Sequence, residues 1–144
     1  MNEVAGGWPA CETREMLRIV FSALVVGLTA GCGADDRPAT WSYIHAAIVV
    51  PSCTTASCHS REAAVAYVDL HERELAYATL LGRDCDTQSD APGYFVDPGH
   101  PESSHLIRLL RNEDVSVPMP PDRLLGLRDI ELVEAWIAGG AACE

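Results

Sequence analysis

The sequence has no lysine, and its ten basic residues are all arginines, set against 21 acidic residues for a formal net charge of −11. These arginines are scattered, so the chain lacks the basic surface that binding to a phosphate backbone requires. The composition therefore argues against nucleic acid as a partner. With 144 residues, of which 48% are hydrophobic, the chain has enough apolar content for one globular domain and too much for a disordered chain.

The sequence also has no hydrophobic run near its N-terminus that matches a bilayer core, which takes about 20 residues. Residues 19–30 form an uncharged stretch of twelve, preceded by Arg14 and Arg18. A short apolar core behind positive charge is typical of a secretory signal peptide. Residues 1–31 are therefore predicted to be a signal peptide, and a start at Met16 gives it a better basic segment than the acidic residues before it.

Small residues end this stretch just before a cysteine, in the sequence Thr29-Ala30-Gly31-Cys32. This arrangement resembles the lipobox of bacterial lipoproteins, in which the peptide is cut before the cysteine and the cysteine is lipidated. The resemblance implies a lipid on Cys32 and a place in the bacterial cell envelope, facing the periplasm and anchored to a membrane. A plain signal peptide, with Cys32 free or paired, stays open. Residues 32–40 are short and polar and are predicted to be a tether.

Residues 41–144 predict a mainly α, small domain of about four short helices with long loops. Apolar spacings of three and four residues indicate helices over residues 41–50, 72–81, 103–111 and 127–138. Pro51 is expected to end the first helix. Residues 61–70 are ambiguous, because residues 63–67 could form a helical turn while residues 67–70 alternate like a short strand. Helices this short leave a thin core for the length, which suggests that something else helps to fill it.

Two of the six cysteines share a short loop with a histidine, in the segment Cys53-Thr-Thr-Ala-Ser-Cys58-His59. A c-type haem is attached through two cysteine thioethers, and the histidine after the second cysteine binds the iron, usually as C-x-x-C-H. The loop here is two residues wider. It predicts haem c attached at Cys53 and Cys58, with His59 as an axial ligand. A disulfide between the two cysteines stays open, and so does a metal site, such as zinc, built on all three residues.

Methionine is scarce, and Met119 is the only one beyond the predicted signal peptide. It lies between two prolines, which fix the backbone and would present its side chain rigidly. Methionine sulfur is an axial ligand of haem iron in many cytochromes and raises the reduction potential. Met119 is therefore the candidate second ligand, with His100 and His105 as the alternatives.

Most of residues 41–142 resembles a small bacterial cytochrome c domain, in particular the planctomycete-type cytochrome c family and its lipoprotein relatives. The matching pieces are Cys53…Cys58-His59, the pattern P-G-x-P-x-x-S-x-L at residues 98–106, Met119-Pro120-Pro121, and W-I-x-x-G-A at residues 136–141. The resemblance implies thioether sites at the two cysteines, His59 as the proximal ligand and Met119 as the distal ligand. It also implies that the first and last helices cross.

Cys85 and Cys143 have no histidine beside them and no cysteine within a few residues. If Cys32 carries lipid, four cysteines remain, an even number in an oxidising compartment. Pairing Cys85 with Cys143 would tie a long loop to the C-terminus, and closing about 60 residues stabilises by about 4 kcal/mol in the chain-entropy model. We therefore expect this disulfide.

Together these features predict an exported, lipid-anchored monohaem cytochrome that acts in electron transfer and is not an enzyme. The sequence shows no Ser/His/Asp order, phosphate loop or paired carboxylates at a telling spacing. Its acidic surface predicts a redox protein partner with a basic docking face. The alternative is a non-haem lipoprotein with a binding or structural role, held by disulfides Cys53–Cys58 and Cys85–Cys143.

Overall fold

The computed structural model describes residues 36–87, 89–113 and 116–144. Over these ranges the protein is mainly α, with short helices, long loops and no strand, as the sequence predicts. The predicted signal peptide, the start at Met16 and the lipidation site Cys32 lie outside the described residues. Of the helices within them, none is both long and apolar enough to cross a bilayer.

Five α-helices make up the described domain: α1 (Trp41–Ile44), α2 (Val50–Cys53), α3 (Arg73–Leu81), α4 (His105–Arg111) and α5 (Leu127–Ala138). A π-helical segment, His45–Val49, joins α1 to α2 without a break, so residues 41–53 form one N-terminal helix. Short 3₁₀ turns cover Val65–Tyr67 and Pro101–Ser103. The strand reading of residues 67–70 is wrong, because no described segment pairs with them as a strand.

The expectation that Pro51 ends the first helix is also wrong, since the helix continues through it to Cys53. A proline in a helix interior removes one backbone hydrogen bond, and its ring clashes with the carbonyl four residues earlier. The π-helical segment just before Val50 has wider turns with i→i+5 bonds, which give the ring room. As a result, Cys53 stands at the last position of the N-terminal helix.

The core forms where the N-terminal helix meets α5. Trp41 stacks on Trp136 with ring centroids 5.0 Å apart, and Tyr77 of α3 packs edge-on against both rings. The Tyr77 hydroxyl donates to the carbonyl of Ala141 at 3.0 Å, and the Trp41 indole donates to the carbonyl of Arg73 at 3.0 Å. Each buried aromatic polar atom is thus satisfied, which avoids the free-energy cost of an unpaired buried donor.

Two long-range links hold the loops and the N-terminal segment to this core. Cys85 and Cys143 are joined by a disulfide, with their Cα atoms 5.3 Å apart, which fixes the loop after α3 to the C-terminus. Arg37, in the described part of the predicted tether, forms an ion pair with Asp129 at 2.6 Å. The last residues before the N-terminal helix therefore lie against the start of α5.

Candidate functional site

The four residues predicted to bind haem line one pocket. Its volume is about 120 Å³, and its wall is mostly apolar. Two separate stretches of chain build it: residues 52–65 contribute Cys53, Cys58 and His59, and residues 119–121 contribute Met119 and two prolines. The fold therefore brings the methionine, distant in sequence, to the loop that carries both thiols and the imidazole.

Cys58 sits on a loop that begins directly after Cys53, and backbone hydrogen bonds hold this loop in a tight turn. The amide of His59 donates to the carbonyl of Cys53 at 3.0 Å, and the amide of Cys58 donates to the carbonyl of Thr55 at 2.9 Å. Both thiols are free, and no bond joins them. The hydroxyl of Thr55 donates to the sulfur of Cys58 at 3.0 Å. In this structure the wide spacing thus forms a compact loop with two available sulfurs.

Cys53 is the more sheltered of the two sulfurs. Burial and, to a smaller extent, the neighbouring Cys58 together raise the pKa of its thiol to about 11. The side chain lines the pocket on one side and a small apolar cavity of the core on the other. Its thiol therefore stays protonated at neutral pH.

His59 has its ring orientation fixed by the backbone. Its Nδ1 lies 3.1 Å from the carbonyl oxygen of Val68. A carbonyl can only accept, so Nδ1 carries the proton, and in the neutral ring Nε2 keeps its lone pair. In a metal-ligating histidine, the ring nitrogen that does not bind the metal usually donates a hydrogen bond in this way.

A buried histidine, His45, secures the segment that orients His59. Its Nε2 lies 3.0 Å from the carbonyl of Leu70, and the amide of Leu70 donates to the carbonyl of His59 at 2.9 Å. This role of His45 was not predicted from the sequence. A spacing of four residues from Trp41, which is also buried, is the sequence signal that could have indicated a buried position for His45.

Met119 is positioned by its backbone as well as by its flanking prolines. Its amide donates to the carbonyl of Leu109 at the end of α4, at 3.1 Å. The side chain is half-buried in the pocket wall. A short segment between two prolines thus holds the thioether on the pocket that His59 also lines.

The alternative distal ligands, His100 and His105, do not line this pocket. His100 is exposed and lies 3.3 Å from a carboxylate oxygen of Glu102. His105 is exposed and stacks on Phe95 with ring centroids 5.9 Å apart. Each histidine therefore has a surface contact of its own away from the two cysteines.

The loop that follows His59 is strained. Ala64, Ala66 and Tyr67 all have positive φ, at 38°, 56° and 63°, a region that costs residues with a Cβ about 1–2 kcal/mol each. Val65, between them, lines the pocket, and Tyr67 is fully exposed. Backbone strain of this kind clusters at functional sites, which fits the position of the loop beside the pocket.

The donor set fits a covalently attached haem: two free thiols, an imidazole with Nε2 available, and a thioether. The pocket alone is small, since ligand pockets are typically about 300–1,000 Å³. It adjoins an open groove of about 620 Å³, with which it shares Ser52, Cys58, Pro120 and Pro121. Together, the pocket and the groove provide a volume within the typical range of ligand pockets. For the zinc alternative, the described residues hold no cluster of three His, Cys, Asp or Glu side chains placed to bind a metal ion.

Comparison of the chain with protein-family models, with curated proteins and with solved structures gave no match. The functional assignment therefore depends on the residues and the geometry of the site.

Proposed function

We propose that the protein is an exported, membrane-anchored monohaem c-type cytochrome that carries electrons. The observation that carries this proposal is the meeting of Cys53, Cys58, His59 and Met119 at one apolar pocket. These residues supply two thiols, an imidazole and a thioether, which are the groups that the sequence motif requires for binding haem c. A structural disulfide between the two cysteines, the alternative reading, has no counterpart among the described bonds, because both thiols are free.

The four residues would hold the haem in two ways. Cys53 and Cys58 would bind haem c covalently through thioethers, while His59 through Nε2 and Met119 through its sulfur would bind its iron. When bound, the haem supplies an Fe(III)/Fe(II) couple that takes up and releases one electron. The Val68 carbonyl keeps the His59 ring in one tautomer and orientation.

The apolar wall of the pocket would favour the less charged, reduced state of such a couple, because apolar side chains stabilise the extra positive charge of the oxidised state less well than water does. The Met119 thioether acts in the same direction. We therefore expect a reduction potential above that of a variant without the methionine.

The other cysteines support the proposed cellular setting. Disulfides persist in oxidising compartments, so the Cys85–Cys143 bond supports an exported domain. Lipid on Cys32 would hold it at a membrane facing the periplasm. A net charge of −11 over the chain suits a redox partner with a basic docking face.

The test is made on protein exported from a host that carries the haem-attachment machinery. We expect the intact mass of the chain beginning at Cys32 to include one haem and acyl groups, and the reduced pyridine haemochrome spectrum to show an α-band. The matched control is a variant with Cys53→Ala and Cys58→Ala, which should lose both the haem mass and the band. Colourless exported protein with the Cys85–Cys143 disulfide intact would overturn the haem assignment and favour the non-haem lipoprotein.

A further inference from the structure

Arg37 pins the N-terminal segment to the edge of the candidate site. Its Nη1 lies 2.6 Å from a carboxylate oxygen of Asp129, and its Nη2 donates to the carbonyl of Arg128 at 3.0 Å. Asp129 lines the same open groove as Cys58. The described chain is therefore held next to the groove that adjoins the pocket.

Arg37 lies five positions after the predicted lipidation site Cys32. A fully extended chain spans at most about 3.6 Å per residue, so the two residues are at most about 18 Å apart. A lipid on Cys32 would hold that residue at the level of the headgroups. The start of α5 then lies within one short segment of the bilayer.

The surface at this point suits such a position. We call it the groove edge and define it as Arg37, residues 122–124 and residues 127–129. Two of its side chains, Leu124 and Leu127, are apolar and 49% and 58% exposed. Arg37, Arg123 and Arg128 more than offset its two aspartates, on a chain whose net charge is −11. An acidic protein is repelled by anionic lipids, and this surface avoids that repulsion while offering apolar contact.

We propose that the groove edge faces the membrane, with the lipid headgroups of the bilayer that holds the anchor as its occupant. The Arg37–Asp129 ion pair acts as a clamp that turns the candidate haem site towards the membrane surface. The inference rests on the lipid anchor of the proposed function and is independent of the haem.

The test compares two ends of one helix. A benzophenone-bearing phenylalanine analogue is placed at Leu127 or at Ala138, both exposed, at the first and last positions of α5. The rise of an α-helix separates these positions by about 16 Å. The full-length exported protein is reconstituted in vesicles of phosphatidylethanolamine and phosphatidylglycerol and irradiated. We expect phospholipid adducts, measured by mass, at a several-fold higher yield from position 127 than from position 138.

The clamp is tested with Arg37→Ala, and Asp129→Asn removes the same ion pair from its other side. Both variants should bring the two yields close together. The matched control, Arg73→Ala, breaks an exposed Arg–Glu pair elsewhere and should leave the difference unchanged. Equal yields in the parent protein, or a difference that survives both clamp variants, would overturn the proposal. Adducts to a second copy of the chain in place of lipid would make the groove edge an interface between copies, which also overturns it.

The intact mass of the same sample separates this inference from the proposed function. If Cys32 carries acyl groups and the two yields are equal, the orientation is wrong while the anchor stands. If the mass shows no acyl groups, the anchor is wrong and the membrane-facing surface falls with it. The haem mass is read independently and has no bearing on either result.

Discussion

His59 donates its Nδ1 proton to the carbonyl oxygen of Val68 across 3.1 Å. The bond leaves Nε2 as the ring atom that can bind a metal, and it fixes the direction in which that atom points. We predict that His59→Ala abolishes the spectrum of a histidine-ligated haem in the exported protein. Absorption spectroscopy of the oxidised and reduced forms measures this. His71→Ala removes an exposed histidine and should have no effect; an unchanged His59→Ala spectrum would exclude the ligand role.

Met119→Ala should lower the reduction potential, because a thioether ligand favours the reduced iron. The shift is expected to reach a few tenths of a volt, within the roughly 0.8 V range that axial ligands set. Spectroscopic redox titration measures it. His105→Ala is the control, since its ring stacks on Phe95 away from the pocket. A large shift in the control with none in Met119→Ala would reassign the distal ligand.

The disulfide between Cys85 and Cys143 joins residues 58 apart in sequence. Replacing both by serine removes the constraint without leaving a free thiol. The free energy of unfolding should fall by about 4 kcal/mol on the chain-entropy model. Denaturant unfolding of the parent and the double variant measures the loss. A loss well under 1 kcal/mol would show that the disulfide does not stabilise the domain by constraining the unfolded chain.

In protein made without haem, the Cys53 thiol should make stability fall at high pH. Its pKa is near 9 when the chain is unfolded and about 11 in the folded domain. Between these values the unfolded state binds fewer protons than the folded state, so the free energy of unfolding decreases as pH rises. The Cys53 thiol accounts for about 2 kcal/mol of this decrease in the free energy of unfolding. In Cys53→Ala, the free energy of unfolding should fall less steeply between pH 8 and pH 11 than in the parent protein. Identical slopes in the two proteins would show that the thiol is not buried.

Ala66→Gly should stabilise the strained loop beside the pocket. Ala66 has φ 56° and ψ 27°, a left-handed conformation that glycine adopts without a steric penalty. The gain is expected to be about 1 kcal/mol, since glycine also costs entropy in the folded chain. Thermal unfolding measures it. Ala63→Gly is the control and should destabilise or leave stability unchanged, because Ala63 has no positive φ.

The sequence predicted the helices well where apolar spacing alone decides them. The last helix, α5, covers the predicted residues, and α3 begins one residue later than predicted, at Arg73. The prediction that Pro51 ends the first helix failed. The free-energy penalty of a proline in a helix assumes regular α-helical turns, and the π-helical segment before Pro51 depends on the tertiary fold. The helix predicted over residues 103–111 begins two residues later, at His105, an error of the size that helix ends usually show.

For the candidate site, the sequence indicated the candidate haem-binding residues and their motif, but not the contacts that position them. Local order along the chain identifies Cys53, Cys58 and His59 as a unit. Nothing in that order indicates that the carbonyl of Val68 accepts from the His59 ring, or that His45 holds Leu70. These contacts depend on the path of the loop through space, which periodicity does not encode.

Cys53 lines both the pocket and the small apolar cavity of the core, which Ile48 and Leu110 also line. In the proposed cytochrome, a haem bonded to this sulfur would add apolar surface beside the core, so haem-loaded chains would be more stable than unloaded ones. That difference in stability would distinguish loaded from unloaded chains without a separate sensor, because Cys53 packs against the core.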